Sequence, residues 1–389
     1  MPRPFRLLTI NSSPSMGGLE RFQLRLAVDL ADRGHDVTAV GAPGSRWSRA
    51  AAEAGLQVAT RRFHAYLSPF AVLRLARIFK RLEPDLIHYR LSRNIWTIAP
   101  AARLTGRRGR VVHTLGMNPG GRLRDPVHRW LRNTLGAFVA PTPATAAKAE
   151  LVWGMREGET VVIPNYAPTA PFADPALDAE AAAWRRSWGV PADTAGVLCI
   201  GTLTRLEPAK GTEEFVEAAL RIAEREEGRE VRFIVGGPPS PGREKWVAEL
   251  EARSRDSAAA HRIIFTGAIE PQRVPAFLSA LDAFVLASHR ETFGLVLVEA
   301  MLAGCVVIAA RGPGSDFILD GGRAGTLVPP RDPGALTEVL LDLLSGREDI
   351  WVTGPAGQED ARRRFTDEAV LDRYEHLFRS LLGTAGDEV

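Results

Sequence analysis

The feature that most constrains the fold is an alternation of short apolar strands with amphipathic helices, which occurs twice along the chain. An apolar segment at 5–10 is followed by a turn at 11–18, a helical pattern that stops at Gly34, and a second strand at 36–40. Glycines in the first turn and after the helix suit such a unit. Strands that alternate with helices indicate a parallel sheet covered on both faces. The sequence therefore predicts an α/β protein.

The alternation is interrupted once, at residues 166–193, where Ala, Pro and Asp accumulate, and it restarts with a strand at 197–200. A chain of 389 residues is also longer than one ordinary hydrophobic core. We therefore predict two doubly wound Rossmann-like domains that face a central cleft. The expected boundaries are an N-terminal domain at 1–168, a linker with a short helix at 169–194, a C-terminal domain at 195–365, and a final helix at 366–389 that packs back on the first domain.

Composition excludes several classes of protein. With 45% hydrophobic and 24% charged residues, the chain resembles neither a disordered protein nor a membrane bundle. No apolar run reaches the length of a membrane span and no signal peptide is recognisable, so we expect a cytoplasmic protein. Cys199 and Cys305 lie in apolar runs and predict neither a disulfide framework nor a zinc site. The chain has no G-x-G-x-x-G or P-loop pattern, which argues against dinucleotide dehydrogenases and P-loop ATPases.

Charge is distributed unevenly along the chain. The part up to Asn165 has 25 basic and 11 acidic residues, a net charge of +14, and the remainder has 24 basic and 35 acidic residues, a net charge of −11. A basic half attracts anionic lipids, nucleic acid or acidic substrates. Nucleic acid is the less favoured partner, because no recognition fold or aromatic platform accompanies the charge.

The most informative segment is 288–301, which follows a strand and opens a helix. The backbone amides of Phe293, Gly294 and Leu295 are expected at the helix N-terminus, where they suit phosphate oxygens. Glu291 precedes these residues and Glu299 lies inside the helix among apolar residues, where a carboxylate needs a polar partner such as a ribose hydroxyl. From the residues alone, a helix-dipole role for Glu291 and a solvated position for Glu299 are equally open.

The spacing of Glu291 and Glu299 resembles the E-x7-E signature of the retaining nucleotide-sugar glycosyltransferases of family 4, which have two Rossmann-like domains (the GT-B type). The resemblance extends over most of the chain, through segments 17–20, 85–88, 162–165 and 330–333. It implies that Glu291 contacts the donor sugar, that Glu299 binds the nucleotide ribose, and that Thr292, Phe293, Gly294 and Leu295 belong to the donor site.

A second segment, 201–211, also connects a strand to a helix. Lys210 is one of four lysines in a chain with 45 arginines, and its flexible point charge suits a phosphate. A solvated turn lysine is the alternative. Relatives pair this lysine with an arginine directly after the strand glycine, where this chain has Thr202, so Arg205 is the expected substitute. The resemblance also implies that Gly237 lies on the nucleotide side, although a plain turn is equally open.

Two further candidate sites have weaker sequence signals. Gly17 and Gly18 permit a tight turn whose amides could meet a pyrophosphate, although helix-starting glycines often only turn the chain. Relatives commonly carry a polar residue near the sugar at the position of Gly116. His113, which ends a strand, is the candidate replacement, although a structural histidine is the more common case.

The resemblance implies a retaining, metal-independent glycosyltransferase. It would use a UDP- or GDP-sugar donor and a glycan or lipid-linked acceptor, in cell-envelope or exopolysaccharide biosynthesis. No cofactor is expected. The arginines at 103, 107, 108, 110, 122, 124, 129 and 132 favour association of the basic half with an anionic surface, the cytoplasmic face of the inner membrane. A nucleotide-sugar epimerase on the same fold and a non-catalytic sugar- or nucleotide-binding protein remain the alternatives.

Overall fold

The structure is a computed structural model that describes residues 3–13, 16–62, 68–116, 120–121, 123–190, 196–224, 230–257 and 260–383. The chain forms two compact units. The first contains Met1–Asn165 together with Asp367–Val389, and the second contains Tyr166–Thr366. Each unit has its own parallel β-sheet, so the predicted α/β class with two Rossmann-like domains is confirmed.

The sheet of the first unit has seven parallel strands in the order β3-β2-β1-β4-β5-β6-β7. The strands are β1 Arg6–Asn11, β2 Asp36–Gly41, β3 Gln57–Thr60, β4 Leu86–Tyr89, β5 Val111–Thr114, β6 Ala137–Ala140 and β7 Thr160–Val162. Strands β4, β5 and β6 are buried along their whole length, because helices cover both faces of the sheet. Strands β3 and β7 are only four and three residues long and partly exposed, so the sequence has no continuous apolar run there.

The helices of the first unit begin at recognisable capping residues. Ser45, Ser68, Asp125 and Thr142 each accept a hydrogen bond from a backbone amide of the following helix. Proline occupies an early position in three of these helices, where its missing N–H is not needed. The helices are α1 Gly18–Asp32, α2 Arg46–Glu53, α3 Pro69–Leu82, α4 Ile95–Leu104, α5 Pro126–Arg132 and α6 Pro143–Trp153.

The last helix of the chain, α16 Asp367–Leu382, belongs to the first unit. Its Val370, Tyr374 and Phe378 are fully buried. The ring of Phe378 meets the ring of Phe5 edge to face at 5.6 Å. On the polar side, Arg33 pairs with Asp372 and Glu375 of the helix. Burial of one apolar stripe against the sheet and ion pairing at the rim hold α16 in place.

The sheet of the second unit has six parallel strands in the order β10-β9-β8-β11-β12-β13. They are β8 Leu198–Leu203, β9 Val231–Gly236, β10 Ile263–Gly267, β11 Ala283–Leu286, β12 Val306–Ala310 and β13 Thr326–Val328. Strand order reverses between β8 and β11, because the chain builds outward from β8 on one side and from β11 on the other. In open α/β sheets, ligands bind at the carboxyl ends of the strands on either side of such a reversal.

The helices of the second unit complete a doubly wound layer on each face. They are α7 Leu177–Ser187, α8 Thr212–Ala223, α9 Glu244–Arg255, α10 Val274–Ser279, α11 Leu295–Leu302, α12 Pro313–Ile318, α13 Pro333–Leu344, α14 Glu348–Trp351 and α15 Thr353–Arg364. Helix α7 lies in the segment expected to be a linker and packs on α10, with Trp184 and Phe277 edge to face at 5.5 Å. Along the described part of the chain, no helix is long and apolar enough to cross a membrane.

Candidate functional site

The two segments with the strongest sequence signals follow the two strands at the reversal of strand order in the second sheet. Lys210 comes after β8, in a short 3-10 helix at Pro208–Lys210, and Glu291 comes after β11. Since β8 and β11 are neighbouring parallel strands, their carboxyl ends lie at the same edge of the sheet. The fold therefore brings together side chains that are 81 residues apart in the sequence.

Lys210 and Glu291 are in direct contact. The Nζ atom of Lys210 donates to Oε2 of Glu291 at 2.9 Å, and both side chains are about one-fifth exposed, at 23% and 18%. A lysine ammonium has three N–H donors, so this pair leaves further donors available for a ligand anion. The pair also neutralises Glu291, which would otherwise repel an anion at this edge of an acidic unit.

Glycines allow these loops to approach one another closely. Gly211 has a positive φ of 71°, and a Cβ there would lie 2.0 Å from the carbonyl oxygen of Ala287. A Cβ on Gly314 would lie 2.8 Å from the carbonyl oxygen of Glu291, which accepts a hydrogen bond from the Gly314 amide at 3.1 Å. The backbone on both sides of the Lys210–Glu291 pair is therefore fixed by contacts that no other residue type would permit.

The helix that follows Glu291 begins as expected. Gly294 is the N-cap of α11 and is left-handed, with φ 89° and ψ 59°. Phe293 is buried and meets Phe365 edge to face at 5.9 Å, which anchors the turn. Thr292 is half-buried beside it. The first amides of a helix have no partner within the helix, so those at the start of α11 are of the kind that suits an anion.

Glu299 lies in α11 among buried apolar neighbours, Val298 and Ala300, and is itself half-buried. The helix rises about 1.5 Å per residue, so Glu299 lies roughly one turn beyond the N-terminal amides. Glu291 and Glu299 are thus held at different places along one loop and helix, as the spacing of the two residues suggests.

Arg205 lies on a loop that the structure ties down on both sides. The amide of Thr204 donates to Gly236 and that of Leu206 donates to Pro238. Gly237 has φ 119°, and a Cβ there would lie 1.7 Å from the carbonyl oxygen of Thr204. Arg205 itself is exposed. Its backbone is therefore rigidly placed while its guanidinium is open to solvent.

Strand β8 is longer than the sequence pattern indicates. It continues to Leu203, so Gly201 and Thr202 lie inside the strand rather than in the loop. Thr202 is buried, at 3% exposure. The position at which the family resemblance implies an arginine is therefore occupied by a residue of the sheet interior. The connection between β8 and Lys210 begins only after Leu203.

The glycine turn of the first unit caps the helix α1. Gly17 is the N-cap of α1, and its amide donates to Oε2 of Glu20 at 2.9 Å. This amide is therefore engaged within its own helix turn, and contact of Gly17 and Gly18 with a pyrophosphate stays a prediction. Gly18 is the first residue of the helix, with open space where a Cβ would stand.

His113 is fully buried, at 0% exposure. Its ring stacks on Tyr89 at 4.5 Å, and Nε2 lies 3.3 Å from the carbonyl oxygen of Arg90. Burial lowers the pKa of His113 to about 3, so the ring is neutral at physiological pH. His88 is likewise buried, with Nε2 3.0 Å from Oγ1 of Thr114. Both histidines are thus buried, neutral groups, and a catalytic role for His113 stays a prediction.

Gly116, where the family resemblance implies a polar residue, is a packing position. A Cβ there would lie 2.3 Å from Cδ2 of Leu19. Leu19 follows the glycine turn that opens α1, so this turn and the loop after β5 are in contact. Any side chain at residue 116 would displace Leu19.

A pair that the sequence did not reveal lies next to the Lys210–Glu291 contact. Nε2 of His289 is 2.6 Å from Oε1 of Glu214, and the backbone amide of His289 donates to the carbonyl oxygen of Ala209 at 3.0 Å. The sequence does not predict this pair, because His289 and Glu214 are 75 residues apart, and His289 carries no signal of its own within the segment 288–301.

Several arginines of the basic half are fixed on the surface formed by α4, α5 and α6. The guanidinium of Arg103 lies 4.6 Å from the ring centre of Trp130, Arg124 donates to the carbonyl oxygen of Leu151, and Arg132 donates to that of Trp153. Arg122 lies outside the described residues. Exposed apolar side chains accompany the arginines, namely Leu104, Val127, Trp130 and Leu151 at 59%, 52%, 44% and 60%.

Within the described residues, no three His, Cys, Asp or Glu side chains come together in a group that could hold a metal ion. Both cysteines are buried, and burial raises the pKa of the Cys199 thiol to about 12. Both thiols are thus neutral packing groups, as the sequence suggests.

Two family profiles match the chain. The one described as Glycosyltransferase Family 4 matches residues 16–170, and the one described as Glycosyl transferases group 1 matches residues 194–346. Together they extend over most of both units.

Curated proteins give matches of the same kind. The D-inositol 3-phosphate glycosyltransferase of Corynebacterium diphtheriae is 31% identical over 50% of this chain, but the match spans only 44% of that enzyme. The Acidothermus cellulolyticus protein of the same name is 27% identical over 88% of this chain and 83% of its own length. A GDP-mannose-dependent alpha-(1-6)-phosphatidylinositol monomannoside mannosyltransferase of Mycolicibacterium smegmatis is 24% identical over 90% of this chain and 92% of its own.

Solved structures share the fold. A glycosyltransferase from Rickettsia africae superposes with a TM-score of 0.83 at 18% identity, covering 97% of this chain and 99% of that one. HepE from Anabaena, determined in complex with UDP and glucose, gives a TM-score of 0.77 at 20% identity, covering 97% and 100%. At such identities the likeness shows the fold alone.

Proposed function

Because the chain belongs to the family 4 glycosyltransferases, of the GT-B type, we propose that it transfers a sugar from a nucleotide-diphosphate-sugar donor to a hydroxyl of an acceptor, with retention of anomeric configuration. The observation that carries this proposal is the contact between Lys210 and Glu291 at the reversal of strand order. A cation suited to phosphate and a carboxylate suited to sugar hydroxyls lie side by side, where one ligand can meet both.

Each residue of the proposed site acts on a different part of the donor. When the bond between the anomeric carbon and the diphosphate oxygen breaks, its electron pair goes to the diphosphate. Lys210 and Arg205 would stabilise the charge that develops there, together with the amides of Phe293, Gly294 and Leu295. Glu291 would hold the sugar and Glu299 the ribose. Gly237 would support this site by holding the Arg205 loop in place.

We propose that the reaction needs no metal ion and no other cofactor. The diphosphate already has two cationic side chains and a helix N-terminus to balance its charge. Turnover in the presence of a chelator tests this part of the proposal: rates within about twofold of those without chelator support it, and loss of turnover that Mg²⁺ or Mn²⁺ restores contradicts it.

The donor is proposed to be a UDP- or GDP-sugar. The Mycolicibacterium relative is named for GDP-mannose, and the Anabaena structure holds UDP and glucose. Guanine and uracil nucleotides are therefore the first donors to test. The acceptor is proposed to be a glycan or a lipid-linked sugar in cell-envelope or exopolysaccharide synthesis, since the Mycolicibacterium enzyme is named for a phosphatidylinositol monomannoside.

Such an acceptor would bring the protein to a membrane surface. We propose that the protein is cytoplasmic and that the surface of α4, α5 and α6 meets the anionic cytoplasmic face of the inner membrane. Trp130, Val127 and Leu151 would enter the headgroup region while the neighbouring arginines pair with anionic lipid. Co-sedimentation with vesicles of anionic lipid at low salt tests this. Binding that is lost in Trp130→Ala supports it, and failure to bind removes the membrane proposal without affecting the transferase proposal.

The experiment that tests the function is incubation of the protein with UDP- and GDP-sugars, with and without a simple glycoside acceptor. Release of nucleoside diphosphate and a new glycoside with the donor's anomeric configuration, both followed by NMR, support a retaining transferase. Conversion of the donor sugar without acceptor would indicate an epimerase instead. Binding without release of nucleoside diphosphate would indicate a non-catalytic binding protein.

A further inference from the structure

The loop of Lys210 and the loop of Glu291 are joined by more than the ion pair between these two residues. The backbone amide of His289 donates to the carbonyl oxygen of Ala209, and Gly211 is packed against the carbonyl oxygen of Ala287. At the far end of this contact, His289 Nε2 lies 2.6 Å from Glu214 Oε1. The two neighbours of Lys210 in the sequence, Ala209 and Gly211, are thus held by residues that precede Glu291.

The His289–Glu214 contact is well shielded from water. Both side chains are only 16% exposed. Within the described part of the chain, the second carboxylate oxygen of Glu214, Oε2, is buried without a hydrogen-bond partner. Glu214 is in the first turn of α8, where a negative charge is favourable to the helix dipole. A carboxylate so buried depends on its one close donor, because an unpaired buried charge is costly.

We propose that His289 is a positioning residue, which through Glu214 fixes the start of α8 and thereby sets the ammonium of Lys210 opposite Glu291. This inference rests on the proposed function, in which Lys210 binds the donor diphosphate. His289 itself need not touch the donor. Its contribution is to limit the positions of a lysine whose long side chain would otherwise sample many rotamers.

A role through Lys210 has a consequence that a merely structural role lacks. Lys210 acts on phosphate and not on the base or ribose, so loss of His289 should weaken binding of a nucleoside diphosphate but not of the nucleoside. The effect should also require Lys210. Once Lys210 has been replaced by alanine, removal of His289 should cost nothing further, because residues that act as one unit are not additive.

The test is calorimetric binding of UDP and GDP, and of uridine and guanosine, to the full chain and its variants. His289→Ala is expected to weaken the diphosphate that binds by about tenfold and to leave the nucleoside within about twofold. His289→Gln, which keeps an N–H donor, should restore most of the affinity. His289→Ala in the Lys210→Ala background should equal Lys210→Ala alone. His261→Ala, at an exposed histidine of the same unit, is the control.

Unchanged diphosphate affinity in His289→Ala, equal weakening of diphosphate and nucleoside, or a full additional loss in the Lys210→Ala background would each overturn the inference. If the wild-type protein binds no nucleoside diphosphate, the proposed function fails. The positioning role is then decided by hydrogen exchange of the amides at 209–214. Faster exchange in His289→Ala than in His261→Ala supports it, and equal exchange contradicts it.

Discussion

The Nζ atom of Lys210 lies 2.9 Å from Oε2 of Glu291, so the cation proposed for the donor diphosphate and the carboxylate proposed for the adjoining sugar contact each other. This contact would allow an acidic unit to accept the proposed anionic nucleotide. The carboxylate that would repel the diphosphate is neutralised by the same lysine that attracts it. Glu291→Gln keeps the size of the side chain and removes this balance.

We expect Glu291→Gln to lower turnover by about 10²-fold or more, because it loses the carboxylate proposed to hold the sugar. Affinity for UDP or GDP should be unchanged or higher, since Lys210 is released for phosphate. Steady-state kinetics and calorimetry check the two halves separately. Glu249→Gln, on an exposed face of α9, is the matched control. Turnover close to that of the wild type would contradict the role of Glu291.

The close approach of the two loops predicts a strong effect at Gly211. Gly211→Ala places a Cβ 2.0 Å from the carbonyl oxygen of Ala287 at a positive φ. We expect the free energy of unfolding to fall by more than about 3 kcal/mol. Gly242→Ala has a similar φ of 79° and open space around the new Cβ, and should cost only about 1 to 2 kcal/mol. Urea unfolding of both variants measures the difference, and equal losses would mean that the Ala287 contact is unimportant.

Two buried histidines predict how stability depends on pH. Burial lowers the pKa of His88 and of His113 to about 3, whereas each titrates near 6.5 in the unfolded chain. Below pH 6.5 the unfolded chain therefore binds protons that the folded chain does not. The contribution of the two neutral histidines to the free energy of unfolding is fully present above this pH. It decreases as the pH falls toward 3, by up to about 1.4 kcal/mol per pH unit for each histidine.

Urea unfolding of the protein and of His113→Asn between pH 7 and pH 5 tests this expectation. The variant should lose less stability over that interval, because one of the two proton-binding sites of the unfolded chain is gone. An identical slope in both proteins would contradict the account of His113 as a buried neutral group.

The final helix provides a packing test. Phe378 of α16 is fully buried against Phe5 and Tyr374. Phe378→Ala should destabilise the first unit by about 3 to 5 kcal/mol, through lost burial and the cavity left behind. His376→Ala, exposed on the same helix, should change stability by less than about 0.5 kcal/mol. A loss in His376→Ala as large as that in Phe378→Ala would contradict the packing account, because alanine is the best helix former and cannot weaken α16 through helix propensity.

The fold class could be predicted from the sequence because strand and helix patterns alternate regularly. In the second unit, for example, α11 follows a strand and begins at the expected glycine, Gly294. Strands β3 and β7 were not predicted because they are short and partly exposed, so they lack the continuous apolar run of β4 and β5. The length of β8 was underestimated because Gly201 and Thr202 look like loop residues, although the sheet interior accommodates them.

The candidate site could be predicted only in part, because its contacts depend on the tertiary structure. Lys210 and Glu291 each carry a local signal, but their contact depends on which strands are neighbours. The contact of His289 with Glu214 has no local signal at all. At Gly17 and His113, the sequence showed a suitable residue type but could not show that the amide was already bonded to Glu20 or that the ring was buried.

The most direct test of the account is calorimetric titration of UDP and GDP into the wild-type protein, Lys210→Ala and Lys245→Ala. Lys245 is almost fully exposed on α9 and serves as the matched control. We predict saturable binding of one nucleoside diphosphate to the wild type and to Lys245→Ala, and affinity at least about tenfold weaker in Lys210→Ala. Equal affinity in all three proteins, or no binding of either nucleotide, would contradict the proposed donor site.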